Sequence, residues 1–336
     1  MPRSIAPAAL AAFVVMLGFG VLFPVLADFT EHLGLSKSQY GVIMSTYPAV
    51  GIFASPWWGR FSERRGRRAP IVLGLIGFGI SFIWFGLGSS FAELVCSRAL
   101  GGLISSAALP AAFAYAADVS TPEQRSAAMG MVGAALALGI TLGPALGGAL
   151  VGLGVRVPYF VSAGIGFAGA ASIALSMPES LTPAVREALA RHRAWMAERG
   201  LSRARVAQLL APYLVASFLL TAARLSVDVT LRFLVADRLG GSALSTGLLM
   251  FGMGIVISLV QGGAIRPLVQ RYREYPLFVW GSALMAAGLG GAALAHSWTA
   301  VIATGLAIAI GFALHTPTLT ALLSHAAEGV QGDAQG

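Results

Sequence analysis

The residues able to do chemistry in this 336-residue chain are few, and they sit in apolar surroundings. Arg98 lies inside an apolar run that begins near Phe91, about 10 Å deep at 1.5 Å per helical residue. An arginine at that depth in hydrocarbon is costly, so it is expected to be functional or tied to a neighbouring helix. Arg224, Asp228 and Arg232 recur every four residues, which stacks them on one helix face roughly 6 Å apart. Two guanidinium groups beside one carboxylate suit an ion pair or an anion site better than a freely titrating proton carrier. Arg224 and Asp228 are expected to line a cavity, and Arg232 to reach for the outer headgroups. His315, beside Pro317 and among Thr316, Thr318 and Thr320, titrates near neutral pH and could couple to protons. Asp28 follows Pro24 at the end of the first apolar run, with Glu31 next; each reads as a proton acceptor at an outer mouth or as a solvated acid. Glu93 either partly neutralises Arg98 or lies at the interface. The sequence shows no metal cluster, no catalytic nucleophile and no cofactor motif, and its glycine clusters do not form a phosphate loop.

These groups must be positioned by membrane helices. Hydrophobic residues make up 57% of the chain and charged residues 11%, against roughly 25% charged in soluble domains. A disordered chain or a soluble enzyme is therefore excluded as a reading. Continuous rather than alternating apolar runs argue against an outer-membrane barrel. About 20 apolar residues cross a bilayer, and ten such segments are expected, at 5–27, 38–58, 69–88, 91–117, 126–152, 157–177, 208–235, 244–264, 276–295 and 298–323. The first is too long for a signal peptide and lacks a cleavage site. Cys96 is expected to be a small buried hydrophobe, and Trp57, Trp58 and Trp298 to be interfacial belt residues.

The net charge of +8 belongs to topology. With the N-terminus inside, sixteen of the 22 basic residues fall in inner segments and three in outer loops, a strong positive-inside bias. No aromatics interleave with them, so no nucleic-acid partner is expected. The polar stretch 178–207 reads as a cytoplasmic linker. Thr182 and Pro183 can open a basic amphipathic helix there, lying on anionic lipid or simply solvated. It divides the chain into an N-terminal six-helix half, 1–177, and a C-terminal half of about four helices, 208–336. A shift of 206 places Ser36 on Ser242, Gly41 on Gly247, Met44 on Met250, Arg60 on Arg266, Arg65 on Arg271 and Arg67 on Arg273. Parallel repeats with a substrate path between them are a transporter architecture.

The loop from Gly59 through Glu63, Arg64 and Gly66 to Arg67 and Arg68 resembles the G-x-L-a-D-r-x-G-r-k loop of the major facilitator superfamily, with Phe61 for Leu and Glu63 for Asp. Arg98 with Gly102 is similar to the family's intramembrane arginine motif, Gly101 replacing a common glutamine, and Asp118 with Arg125 resembles its acid–arginine pair in the next loop. Gly139-Ile140-Thr141-Leu142-Gly143-Pro144-Ala145-Leu146-Gly147-Gly148 fits G-x-x-x-G-P-x-x-G-G at every fixed position. Gly139, Gly143 and Gly147 form one smooth face that lets a neighbouring helix approach, and Pro144 removes a backbone donor and bends the helix. Residues from Pro317 onward resemble, over a short stretch, the end of span ten in tetracycline-exporter-like members.

The resemblance implies an all-α polytopic bundle of about ten spans in a 6+4 arrangement. It implies a secondary transporter of the drug:proton antiporter type, exporting a small amphipathic compound by alternating access, and no enzyme. Arg98 and one buried acid would exchange a proton for substrate. The implied partners are a small-molecule substrate, protons and membrane lipid; the chain is expected to act as a monomer in a bacterial-type inner membrane with both termini cytoplasmic. A uniporter or importer of the same fold, or a non-transporting membrane protein, is the alternative. Family members usually have twelve spans, so the chain reads as lacking the last two, and with them the helix end that Glu63 would face.

Overall fold

A computed structural model of the protein describes residues 4–121, 124–182 and 203–333. The proposed amphipathic helix falls largely outside them. Among the described residues no strand forms, and twelve α-helices and one π-helical turn account for nearly all of the chain. The first half contains α1 (Ala6–His32), α2 (Lys37–Arg65), α3 (Arg68–Leu87), α4 (Phe91–Ser105), α5 (Ala108–Asp118), α6 (Arg125–Val151) and α7 (Val157–Ser176). The second contains α8 (Arg203–Leu239), α9 (Ala243–Leu259), the π turn Val260–Ala264, α10 (Ile265–Tyr272), α11 (Glu274–Leu294) and α12 (Trp298–Asp333).

Each expected span is met by a helical pass. Eight of the passes are long and apolar enough to cross a membrane, with α4–α5 counting as one and α9–α10 as another. The other two, α2 and α8, have 29 and 37 residues, ample length for a 30 Å hydrocarbon layer at 1.5 Å per residue. Capping residues set several starts. Ser36 and Gln39 make reciprocal bonds at the head of α2, and Ser90 and Glu93 do the same for α4. Glu93 is committed to the Ser89 and Ser90 amides, so it caps a helix rather than facing Arg98. The pass α4–α5 breaks at Ser106 because the ring of Pro110 conflicts with the carbonyl four residues earlier.

The chain forms two compact units, Met1–Arg186 with Gly241–Phe251, and Glu187–Gly240 with Gly252–Gly336. In the first unit small residues of α1 and α5 interlock around Ile71, Leu75, Tyr115 and Ile173. The glycines of α6 face α1. A Cβ at Gly139 would lie 2.9 Å from Leu17 N, and one at Gly147 would lie 3.1 Å from Val21 Cα. In the second unit α11 and α12 pack through Gly281, Gly288 and Gly311; a Cβ at Gly288 would lie 3.0 Å from Ile308 N.

Three expectations are corrected. Cys96 is exposed, because α4 turns Leu94, Ser97, Arg98 and Gly101 inward and leaves Cys96 on the opposite face. Trp58 is buried and donates its indole N–H to the Leu103 carbonyl at 2.6 Å. That carbonyl is released by the break in α4, where the Ala107 N–H turns to Ile104 instead. Trp57 remains exposed, as a belt residue would. Arg232 is buried within the protein and does not reach outward.

Candidate functional site

Among the described residues, Arg98 is the largest fully buried side chain, 1% exposed. It sits where α2, α3 and α4 meet. Gly101 and Gly102 admit α2 so closely that a Cβ at Gly101 would lie 3.3 Å from Tyr47 Cδ2, and one at Gly102 3.1 Å from Val50 Cβ. Tyr47 is thereby held over the guanidinium, 4.8 Å from ring centre to Cζ, with Phe82 and Phe85 both at 5.9 Å. Tyr159 of α7 is in electrostatic range of Arg98 and of Asp28, and its ring packs on Phe29 and Phe85 at 5.1 and 5.0 Å. Asp28 lies in the last turns of α1, half-buried and engaged by neighbours. Nε and Nη2 of Arg98 and the Tyr159 hydroxyl have no hydrogen-bond partner among the described residues.

A second cluster lies in the other unit. Arg224 and Asp228 form an ion pair one helical turn apart on α8. The Arg224 guanidinium stacks over Phe312 of α12 at 5.5 Å, and the Phe312 ring is 5.4 Å from that of His315. His315 is 3% exposed, with the Gly311 backbone within reach of its ring, and Arg224 Nε has no hydrogen-bond partner among the described residues. The Arg224–Asp228 pair and His315, read separately in the sequence, are thus brought to one ring, Phe312, by α8 and α12.

The Gly66 loop is a polar clamp. Gly66 turns the chain at φ 102°, a conformation suited to glycine. Arg67 folds back, donating from Nε to Asp118 at 2.9 Å and from Nη1 to Ser62 at 3.0 Å. The Ser180 hydroxyl donates to the same Asp118 oxygen at 3.0 Å. Glu179, immediately beyond α7, accepts from the amides of Arg67, Arg68, Ser180 and Leu181. Partial burial opposes charge on Glu179, but the amides outweigh it and hold the carboxyl below the usual carboxylate range. Arg68 adds a bond to the Ala174 carbonyl. Glu179 and Ser180 escaped the sequence reading because they sit in a stretch taken for linker. Asp118 is bound to Arg67, whereas Arg125 is exposed at the start of α6. Glu63 and Arg64 are also exposed, and a Cβ at Gly59 would meet nothing within 4 Å. Of the motif's glycines, only Gly66 is required by close packing.

The Gly-Pro segment of α6 touches two helices. Gly20 of α1 abuts it, so that a Cβ there would lie 2.9 Å from Pro144 Cδ and 3.1 Å from Gly143 Cα. On the other side, a Cβ at Gly148 would lie 2.8 Å from Leu244 Cα, and one at Gly247 2.9 Å from the Pro144 carbonyl carbon. No group of three or more histidine, cysteine or acidic residues able to hold a metal ion occurs among the described residues.

The family model of the Major Facilitator Superfamily matches residues 8–336. Multidrug resistance protein 2 of Bacillus subtilis is 37% identical over 180 residues, 54% of this chain and 45% of that relative's length. Multidrug resistance protein 1 of the same organism is 27% identical over 96% of this chain and 82% of its own. The quinolone resistance protein NorA of Staphylococcus aureus is 26% identical over the same shares. Among solved structures, the D-xylose-proton symporter superposes with a TM-score of 0.71 at 17% identity, over 94% of this chain and 80% of that one. The human organic anion transporter MFSD10 gives 0.66 at 22% identity, over 95% and 85%.

Proposed function

Because the chain belongs to the Major Facilitator Superfamily, and so is a multi-pass membrane transporter rather than an enzyme, we propose that it exports a small amphipathic compound in exchange for protons. The observation that carries this reading is the α6 face of Gly139, Gly143 and Gly147 pressed on α1 around Pro144. A smooth glycine contact, with a backbone donor removed at Pro144, lets two helices shift against each other without side chains interlocking, and in the superfamily this motif marks proton-coupled antiporters. The multidrug and quinolone resistance relatives favour efflux and an amphipathic substrate. In this reading Arg98, Asp28, Arg224, Asp228 and His315 handle substrate and proton. The Gly66 clamp closes the inner side, and the halves 1–177 and 208–336, joined by 178–207, alternate in a bacterial inner membrane as a monomer with both termini inside.

Ethidium export from cells expressing the chain tests it. Cells with the native chain are expected to lose ethidium faster than control cells. Cells carrying Arg98→Ala at equal membrane abundance should match the controls. Equal retention with and without the native chain overturns the reading.

A further inference from the structure

The orphaned atoms of Arg98 are not scattered. Nε and Nη2 lie on one edge of the guanidinium, and their two N–H groups point the same way, the fork that receives both oxygens of a carboxylate. A buried ion without a counter-ion is strongly disfavoured. Rings near a desolvated guanidinium return less than a carboxylate does, so Tyr47, Phe82 and Phe85 offset only part of the cost. Glu93 caps α4 and Asp118 holds Arg67, and the groups that act electrostatically on Arg98 are the Tyr47 and Tyr159 hydroxyls rather than a carboxylate. The walls of the site are aromatic. Phe82, Phe85 and Tyr159 are almost completely buried, and Tyr47 alone of the four rings keeps partial exposure, which places it at the entrance. The Tyr159 hydroxyl supplies a further uncommitted polar atom on the α7 side.

We propose that the Nε–Nη2 edge of Arg98 is a subsite for the carboxylate of organic acids and zwitterions, whose aromatic or alkyl body lies against Tyr47, Phe82 and Phe85. This rests on the transporter reading and adds a substrate class to it, beside amphipathic cations such as ethidium, whose export needs Arg98 for proton exchange and not for contact. Arg98 then discriminates substrates through a two-point contact, which a lysine reproduces in charge but not in geometry.

The test uses the full chain, purified, with a matched pair of probes, 1-pyrenebutyrate and the neutral 1-pyrenebutanamide. Binding is read as quenching of tryptophan emission. The acid is expected to bind about tenfold or more tightly than the amide, the ratio that one charge-assisted bidentate contact supplies. Arg98→Ala should bring the ratio to about one while leaving amide binding in place, and Arg98→Lys should fall between. The amide also controls for misfolding, since a collapsed variant loses both probes. Equal affinities of the native chain for acid and amide overturn the proposal, as does an unchanged ratio in Arg98→Ala. If ethidium is still exported in either of those cases, the exporter reading survives and only the carboxylate subsite falls.

Discussion

The turn after α2 and the turn after α10 lie 206 residues apart in the sequence, yet one is clamped by side chains and the other is a single bent residue. The two segments start in step. Ser36 and Ser242, 206 apart, both cap a helix, accepting from Gln39 N and Ser245 N at 3.2 Å. From there α2 runs 29 residues, whereas α9 through α10 runs 30. The π turn at Val260–Ala264 takes up the extra residue, as such bulges do. α3 and α11 nevertheless begin in step again, at Arg68 and Glu274, so the connection shrinks from Gly66–Arg67 to Arg273 alone. The backbone conformation survives the shift: Gly66 has φ 102° and ψ 174°, Arg273 φ 62° and ψ 176°. Glycine adopts it freely, whereas a residue with a Cβ is strained there by about 1–3 kcal/mol. Arg67 is buried and bound to Asp118; Arg273 is exposed, and the position 206 after Asp118 is Ser324, which carries no charge. A repeat without gaps in sequence thus conceals a one-residue exchange between helix and loop. The clamp depends on two acids, Asp118 and Glu179.

Breaking the clamp should have the largest effect. Asp118→Ala leaves Arg67 buried without its carboxylate, which should cost about 3 kcal/mol, read as a lower melting midpoint of the purified chain in detergent. Gly66→Ala comes next. Its Cβ would run into the Glu179 carboxylate, and strain at that φ should bring the loss to about 2 kcal/mol by the same melt. Glu179→Gln should cost about 1 kcal/mol or less, since the carboxylate remains partly open to solvent. It also has a pH signature. The folded carboxyl titrates below its ordinary range; its contribution is therefore complete above that range and is lost as pH falls through the lowered value. Melting midpoints measured as pH is taken down through and below the ordinary carboxylate range should fall in the native chain and fall less in Glu179→Gln. The smallest effect has the opposite sign. Arg273→Gly should stabilise by about 1 kcal/mol, relief of strain exceeding the added freedom of the unfolded chain. A loss of stability there would mean that Arg273 makes a compensating contact and that the two turns differ less than the backbone indicates.

Helix positions were largely legible in the sequence, because eight of the ten passes carry a long apolar run and most of the polar breaks are short. The expected 69–88 and 157–177 meet α3 and α7 within a residue. Helix ends were less legible, since α2 continues through polar residues to Arg65 and α10 to Tyr272, where composition no longer marks the helix. The break at Ser106 was written in Pro110, four residues on, but the π turn has no comparable mark. At the site, Arg98 stood out by its depth and α6 by its glycine spacing. The aromatic cage did not, because Tyr47, Phe82, Phe85 and Tyr159 come from three other helices whose facing follows from packing. The pairing of Asp118 with Arg67 rather than Arg125, and the part played by Glu179, are likewise three-dimensional facts.

Proton-coupled export is decided by proton movement in proteoliposomes. Chains reconstituted with an entrapped pH-sensitive dye and given an ethidium gradient across the membrane should move protons against the flow of ethidium. Arg98→Ala should abolish that movement, and Arg273→Gly should leave it intact. Ethidium flux with no accompanying change in internal pH, or proton movement that persists in Arg98→Ala, would contradict the account.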